Sequence, residues 1–285
     1  MELAQSDDPK RMVILAQYDP GKGLPAHVRI HLQRLRPHAD RLILVSNSDM
    51  DSASQDVADS LCDRVLIREN RGWDFAAWRD VLAWETAADW DSIILTNSSI
   101  VGPLYPIGPV ITEMEARGAD FWGLVHSKQL GSHLQSFFLG FGPRVLKSAA
   151  WADFWARVLD LNDKWDVIKT YELGLTKHFA KAGFSFDAFM KNPAFPASIR
   201  IVDVERLGGV LRLPWDINRV GRTIRDHEAM LREGFPYLKA SLLWGQDRHR
   251  VHSIAKLTKI SGVNYPWDEI GFANKQEIRA GAASD

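Results

Sequence analysis

Cysteine is nearly absent. Cys62 is the only one in 285 residues, which excludes an intramolecular disulfide framework and any multi-cysteine zinc cluster and fits a reducing, cytoplasmic compartment. An excess of either charge is lacking too: 35 lysines and arginines face 36 aspartates and glutamates. No overall field favours nucleic acid, so no nucleic-acid partner is expected and any anion site must be local. No uninterrupted apolar run approaches the roughly 20 residues of a membrane-spanning helix. Met1 to Lys10 is polar and acidic rather than basic and then apolar, so a soluble protein without an export signal is expected. Sequence signatures of familiar chemistries are also missing. There is no HExxH, no Asp-x-Asp after the fourth strand-like run, no GxGxxG and no P-loop, and the nine histidines are scattered. Ser98 and Ser99 lack the context of a nucleophile elbow, which disfavours a serine hydrolase.

What is present is an alternation of short apolar runs and helical patterns. Met12–Ala16, Leu42–Ser46, Val65–Ile67, Ser92–Thr96 and Phe121–Val125 read as buried strands. Between them, Ala26–Arg36, Ser54–Leu61, Phe75–Glu85 and Pro106–Arg117 read as helices. Strands alternating with helices imply an α/β fold with a mostly parallel sheet flanked by helices. Beyond residue 125 the alternation weakens to a strand at Ser136–Phe141 and helices at Ala149–Leu159 and Tyr171–Ala182. The expected organisation is a domain over 11–192, divided into a first half to 125 and a second half over 126–192. A C-terminal extension over 193–279, rich in irregular signals such as Pro196, Gly208-Gly209 and Pro214, packs on it, with tails at 1–10 and 280–285.

In open α/β sheets ligands bind beyond the carboxyl ends of the strands. The residues there are polar: Gln17, Tyr18 and Asp19; Asn47, Ser48 and Asp49; Glu69, Asn70, Arg71, Gly72, Trp73 and Asp74; Asn97, Ser98 and Ser99. Such a rim suits a nucleotide, with amides and hydroxyls for base and ribose, backbone N–H groups or a cation for the diphosphate, and Trp73 as a stacking surface. The same residues are also ordinary loop and cap formers. Glu172 opens the Tyr171 helix, where a carboxylate serves either as a general base or only as a favourable partner of the helix dipole. His133 and Gln135 alternate along one strand pattern and are expected on one side of it, as cleft residues or as a structural pair. Trp151 and Trp155 share a helical face and are expected in the core rather than as sugar platforms.

The runs Glu69–Trp78, Leu95–Leu104, Asp120–Leu124, His133–Leu139, Tyr171–Thr176 and Gly234–Lys239 occur in the order of motifs in the rhamnan synthesis protein F family, and the chain resembles that family over residues 11 to 244. The same segments are similar to a diverged family 2 glycosyltransferase layout. The resemblance implies a GT-A-like, Rossmann-related fold whose first half binds a nucleotide sugar and whose second half is catalytic. It implies a rhamnosyltransferase of surface-polysaccharide synthesis, of O-antigen, lipopolysaccharide or rhamnan type, with dTDP-L-rhamnose as donor. The acceptor is a saccharide, including a lipid-linked one, which would bring the protein to the inner membrane face with Arg248, Arg250, Lys256 and Lys259 helping. A solvated helix face explains those charges equally well.

By that resemblance Glu172 is the base of an inverting displacement. Gln17, Asn47, Asn70, Gly72, Asp74, Asn97, Ser98 and Ser99 bind the donor, and Lys239, Arg71, His133 and Gln135 meet the diphosphate or acceptor. Lys239 is the leading cation, unless it is a structural lysine at a helix start, and Asp74 binds donor or merely caps the Phe75 helix. The layout leaves a Mg2+ or Mn2+ ion open, with Asn97 and Ser99 as its candidate ligands. However, the family's Asn-Asp-Ser is Asn97-Ser98-Ser99 here, without a carboxylate for a hard cation. That loss motivates an alternative, a non-catalytic protein that keeps the fold and binds a nucleotide sugar or saccharide.

Overall fold

The computed structural model describes residues 9–128, 130–191, 221–244 and 257–271. The first half runs β1 (Arg11–Gln17), α1 (Ala26–Leu35), β2 (Arg41–Ser46), α2 (Ser52–Leu61), β3 (Arg64–Ile67), α3 (Trp73–Leu82) and β4 (Ser92–Asn97). A two-residue β5 (Ile100–Val101), α4 (Gly108–Ala116) and β6 (Phe121–Ser127) follow. Strands β3, β2, β1 and β4 lie side by side and parallel. All seven residues of β1 are buried, and they alternate between two cores: Met12, Ile14 and Ala16 enter one, Val13 and Leu15 the other. A strand covered on both faces has no solvent side, which is why it reads as an unbroken apolar run.

Past β4 the sheet becomes mixed. After β7 (His133–Leu134), strand β8 (Phe138–Phe141) inserts antiparallel between β4 and β6, while β9 (Phe186–Met190) joins β6 in parallel. The expected α/β architecture, a mostly parallel sheet of eight strands flanked by helices, is present. Helices α5 (Pro143–Leu146), α6 (Ala149–Ala156), α7 (Lys164–Val167) and α8 (Leu173–Lys181) complete this half. Trp151 and Trp155 are buried in the first core, as expected.

Several expectations are corrected. The helix read from Tyr171 belongs to a run that begins at Lys164 and passes through a π-helical turn at Ile168–Glu172 before α8. Glu172 therefore stands within a helical run rather than at its start. The strand read from Ser136 begins at Phe138, and β7 ends at Leu134, so Gln135 and Ser136 lie between strands. The helix read to Leu159 stops at Ala156.

Of the proposed C-terminal extension, 193–220, 245–256 and 272–279 lie outside the described residues, and so do Pro196, Gly208-Gly209, Pro214, Arg248, Arg250, Lys256 and the tails over 1–8 and 280–285. Its described parts pack on the first half. The strand β10 (Leu238–Lys239) pairs antiparallel with β5, Arg29 pairs with Glu269, and Tyr237 Oη lies 2.9 Å from His31 Nε2. Leu231, Leu238, Leu242 and Trp267 join Ile30 and Leu104 in a third core. No helix among the described residues is long and apolar enough to cross a membrane.

His31 makes this third contact sensitive to acid. Full burial, with the nearby His27 charge, lowers its pKa from the ordinary 6.5 to about 3, so the folded protein keeps it neutral while the unfolded chain protonates it below pH 6.5. The stability it contributes is complete above pH 6.5 and is lost as pH falls from there toward about 3. The linkage gives about 1.4 kcal/mol per pH unit in that window. Between pH 7 and pH 5 the His31 share of that loss is about 2 kcal/mol in thermal or urea unfolding, with Asp74, raised to about 6, working in the opposite direction. His31→Phe should lack that part of the slope; an unchanged slope in the variant would clear His31 of the effect.

Candidate active site

Four short segments converge on one cavity at the carboxyl end of β4. The first is the loop into α3. Arg68 is held by Asp80 Oδ2 (2.7 Å), Asn47 Oδ1 (2.7 Å) and the Arg71 carbonyl (3.0 Å). Gly72 adopts φ 68° and donates its N–H to the Leu161 carbonyl. A Cβ on Gly72 would lie 2.6 Å from Ala76 Cβ, so only glycine fits this left-handed position. Trp73 follows with φ 50°, a conformation that costs a bulky residue energy and is held by its surroundings. This turn delivers Asp74 into the first turn of α3.

The second segment is the end of β4. Thr96 donates its hydroxyl to the Phe137 carbonyl (2.8 Å) and accepts the Trp78 indole N–H on its own carbonyl (3.2 Å). Asn97 Nδ2 donates to Asp74 Oδ2 at 2.7 Å, while its Oδ1 accepts from the Ser99 hydroxyl (2.6 Å) and backbone N–H (3.1 Å). The third is β10: its pairing of Lys239 with Ile100 swings Lys239 Nζ to 3.5 Å from Ser99 Oγ and 4.0 Å from the Phe137 ring centre. The fourth is the π-helical turn carrying Glu172. Such turns recur at functional sites because they re-aim one side chain.

The result is a cavity of about 210 Å³ lined by Trp73, Asp74, Asn97, Ser99, Glu172 and Lys239, with Phe75, Ser136, Phe137, Lys164, Val167 and Ile168 completing the wall. Glu172 accepts a hydrogen bond from Ser136 Oγ at 2.9 Å, and its other oxygen lies 3.6 Å from His133 Nε2. Burial works against ionisation of Glu172, but His133, the Lys239 charge and the Ser136 hydroxyl together hold its carboxyl below the ordinary range. Asp74 behaves differently: burial raises it to about 6 against the pull of Lys164, Asn97 and Lys239. Lys239 is lowered to about 8 by burial, partly offset by Glu172 and Asp74. The site therefore holds an ionised carboxylate and a cation facing each other, a pairing suited to proton abstraction beside a developing negative charge.

Asp74, Asn97, Ser99, Glu172 and Lys239 are thus brought together, with His133 behind Glu172. Other predicted residues go elsewhere. Gln17 is buried and donates to Ser46 Oγ and the Gly23 carbonyl, and Asn47 is engaged by Arg68. Asn70 and Arg71 are exposed, with Arg71 paired to Glu69 at 2.7 Å. Ser98 turns to the Tyr18 N–H on the neighbouring rim. Gln135 does not join His133 beside Glu172: it lies past the end of β7, and its backbone N–H bonds to the Val125 carbonyl. Lys164 and Ser136 were missed. Ser136 lies inside the His133–Leu139 motif and was within reach of it; Lys164 carries no motif.

A divalent cation does not fit the donor set. Asn97 spends its amide on Asp74 and Ser99, and the two carboxylates of the cavity, Asp74 and Glu172, each face lysine charge. Among the described residues no three His, Cys, Asp or Glu side chains group at a metal-binding distance.

Residues 42–203, more than half the chain, match the family model described as rhamnan synthesis protein F. The chain belongs to the rhamnan synthesis protein F family. The family match spans the loop into α3, the end of β4, the π-helical turn and β9, and so covers every cavity wall except Lys239. An uncharacterized protein, y4gN of Sinorhizobium fredii, is 26% identical over 206 residues, 70% of this chain and 54% of that protein. The chain thus spans about half the length of that relative. Virulence protein VirA of Vibrio anguillarum is 23% identical over 71% of this chain and 69% of its own length. Among solved structures, a mannosyltransferase from Pyrobaculum calidifontis in complex with GDP-Man and Mn2+ aligns with 98% of this chain and 77% of its own, at 12% identity and TM-score 0.44. A putative nucleotide-diphospho-sugar transferase from Desulfovibrio desulfuricans aligns with 64% of this chain and 79% of its own, at 17% identity and TM-score 0.40.

Proposed function

We propose that this member of the rhamnan synthesis protein F family is an inverting, GT-A-like glycosyltransferase that moves a sugar from a nucleotide-sugar donor to a growing saccharide. The observation that carries the reading is the juxtaposition of Glu172 and Lys239 across one small cavity. Glu172 takes the proton of an acceptor hydroxyl as its oxygen attacks the anomeric carbon. The bond from that carbon to the diphosphate oxygen breaks on the opposite face, its electron pair stays with the diphosphate, and Lys239 meets the new charge. The cavity of about 210 Å³ is smaller than the roughly 300–1,000 Å³ of sites that enclose whole ligands. It suits the transferred sugar and part of the diphosphate, with the nucleoside lying outside along the rim. Trp165, 59% exposed, stands one turn before Ile168 on the run that carries Glu172, and its face offers the acceptor a stacking surface.

Rhamnose as the transferred sugar, dTDP-L-rhamnose as donor and a polysaccharide acceptor on a lipid at the inner membrane face are the finer reading, of which the family's description supports the rhamnose. Calorimetry with dTDP-L-rhamnose, UDP-sugars and GDP-sugars tests it. Selective binding of dTDP-L-rhamnose is expected. Selective binding of another donor would overturn the sugar assignment alone, and no binding by any nucleotide sugar would overturn the transferase reading. A second reading, a binding protein without turnover, is favoured by the uncharged Asn97-Ser98-Ser99 and predicts donor binding with no transfer.

A further inference from the structure

We propose that Lys239 and Lys164 together form a built-in cation clamp for the donor diphosphate, so that the site works without a divalent metal. The inference rests on the transferase reading and adds how its leaving group is held. At the place where a metal-binding carboxylate pair would follow β4 stand the uncharged Asn97, Ser98 and Ser99. Asn97 gives its amide N–H to Asp74, and its amide oxygen accepts from the Ser99 hydroxyl and N–H, so its own donor and acceptor are both engaged within the wall. Both lysines line the same cavity, Lys164 as an exposed residue. Lys239 comes from the β5–β10 pair and Lys164 from the first turn of α7, and both line the cavity with Asp74 and Glu172.

The charge balance of the cavity agrees with this arrangement. Two lysines and two carboxylates line it, and burial raises Asp74 toward neutrality while Glu172 is held ionised. Once Asp74 takes a proton or Glu172 accepts one from the acceptor, the cavity carries net positive charge, and a diphosphate supplies the counter-charge. Ammonium groups donate directly to phosphate oxygens as charge-assisted hydrogen bonds. A divalent cation would instead bring like charge against two lysines already in place.

Isothermal calorimetry of the full chain with inorganic pyrophosphate and with UDP, in EDTA and in excess Mg2+, tests the clamp. Both probes are expected to bind in EDTA, with no gain from Mg2+. Lys239→Met and Lys164→Met should each weaken them about tenfold or more, and Lys239→Arg should restore most of the loss, since a guanidinium keeps the charge. Circular dichroism of each variant, unchanged from the parent, separates loss of the clamp from loss of the fold. Binding that requires Mg2+ would overturn the clamp and leave the transferase reading standing. Metal-free binding that neither methionine variant weakens would also overturn it. No binding of these probes or of any nucleotide sugar in either medium would remove the donor site itself, and the clamp with it.

Discussion

Glu172→Gln is expected to lower the rate of sugar transfer about 10³-fold while leaving nucleotide-sugar affinity within about twofold, the range for removing a general base whose geometry is kept. The variant is close to isosteric. A glutamine oxygen still accepts from Ser136 Oγ, now 2.9 Å from the carboxylate, and the π-helical turn that presents it is backbone structure that the substitution does not touch. What is lost is the proton acceptor, because an amide does not take a proton at neutral pH. The readout is a single-turnover transfer assay beside a calorimetric donor titration. A rate within about tenfold of the parent would remove Glu172 from the chemistry and turn attention to Asp74, the other carboxylate on the wall. No turnover in the parent, with donor binding retained, would favour the binding-protein reading. His133 shares in this outcome: 3.6 Å from Glu172 and almost fully buried, it helps hold the carboxyl ionised, so His133→Ala should shift the acid limb of the pH profile upward.

The parallel half of the sheet was legible because its strands are doubly covered. Met12–Ala16 and Leu42–Ser46 are apolar at every position, and turn formers bracket them, so period and punctuation agree. Asp74, Asn97 and Glu172, which the fold gathers at one cavity, all lie in the ordered motifs, and Asn97 closes β4, a strand whose position the pattern sets. What escaped depends on packing between distant segments. The π-helical turn follows from Tyr171, whose ring meets Phe75 and whose hydroxyl accepts from the Leu159 N–H at 2.7 Å; periodicity alone counts that stretch as ordinary helix. Lys164 sits behind Asp163, whose side chain caps the Asp166 N–H, and is itself exposed, so it reads as a routine solvated lysine, and only its place on the cavity wall singles it out. Gln135 failed for the opposite reason. The alternation that joined it to His133 was continued past a strand only two residues long. Arg71 looked like a cation near the phosphates, but the left-handed turn at Gly72 and Trp73 leaves it facing solvent with Glu69. The pairing of β5 with β10 is likewise too short to announce itself, yet it sets the position of Lys239.

That pairing can be tested through one atom. Gly102→Ala should cost about 2–3 kcal/mol of stability, at the upper end of what overpacking and an unfavourable φ cost, and should weaken donor binding with it. A Cβ at residue 102 would fall 2.6 Å from the Pro236 carbonyl oxygen and 2.6 Å from Tyr237 Cδ1. Neither can step aside alone: the Pro236 carbonyl accepts the Leu104 N–H at 2.7 Å, and Tyr237 is buried against Phe138 and bonded to His31. The strand carrying Leu238 and Lys239 must move instead, taking the ammonium group away from Ser99. Gly118→Ala is the matched control, because Gly118 also has positive φ (73°) but no atom within 4 Å of the added carbon. It should show only the backbone penalty, about 1 kcal/mol, and no change in donor affinity. Urea unfolding and donor calorimetry on the pair decide the matter. Equal stability losses would mean that contact with Pro236 and Tyr237 contributes nothing beyond φ, and intact donor binding in Gly102→Ala would mean that Lys239 does not depend on β10 for its position.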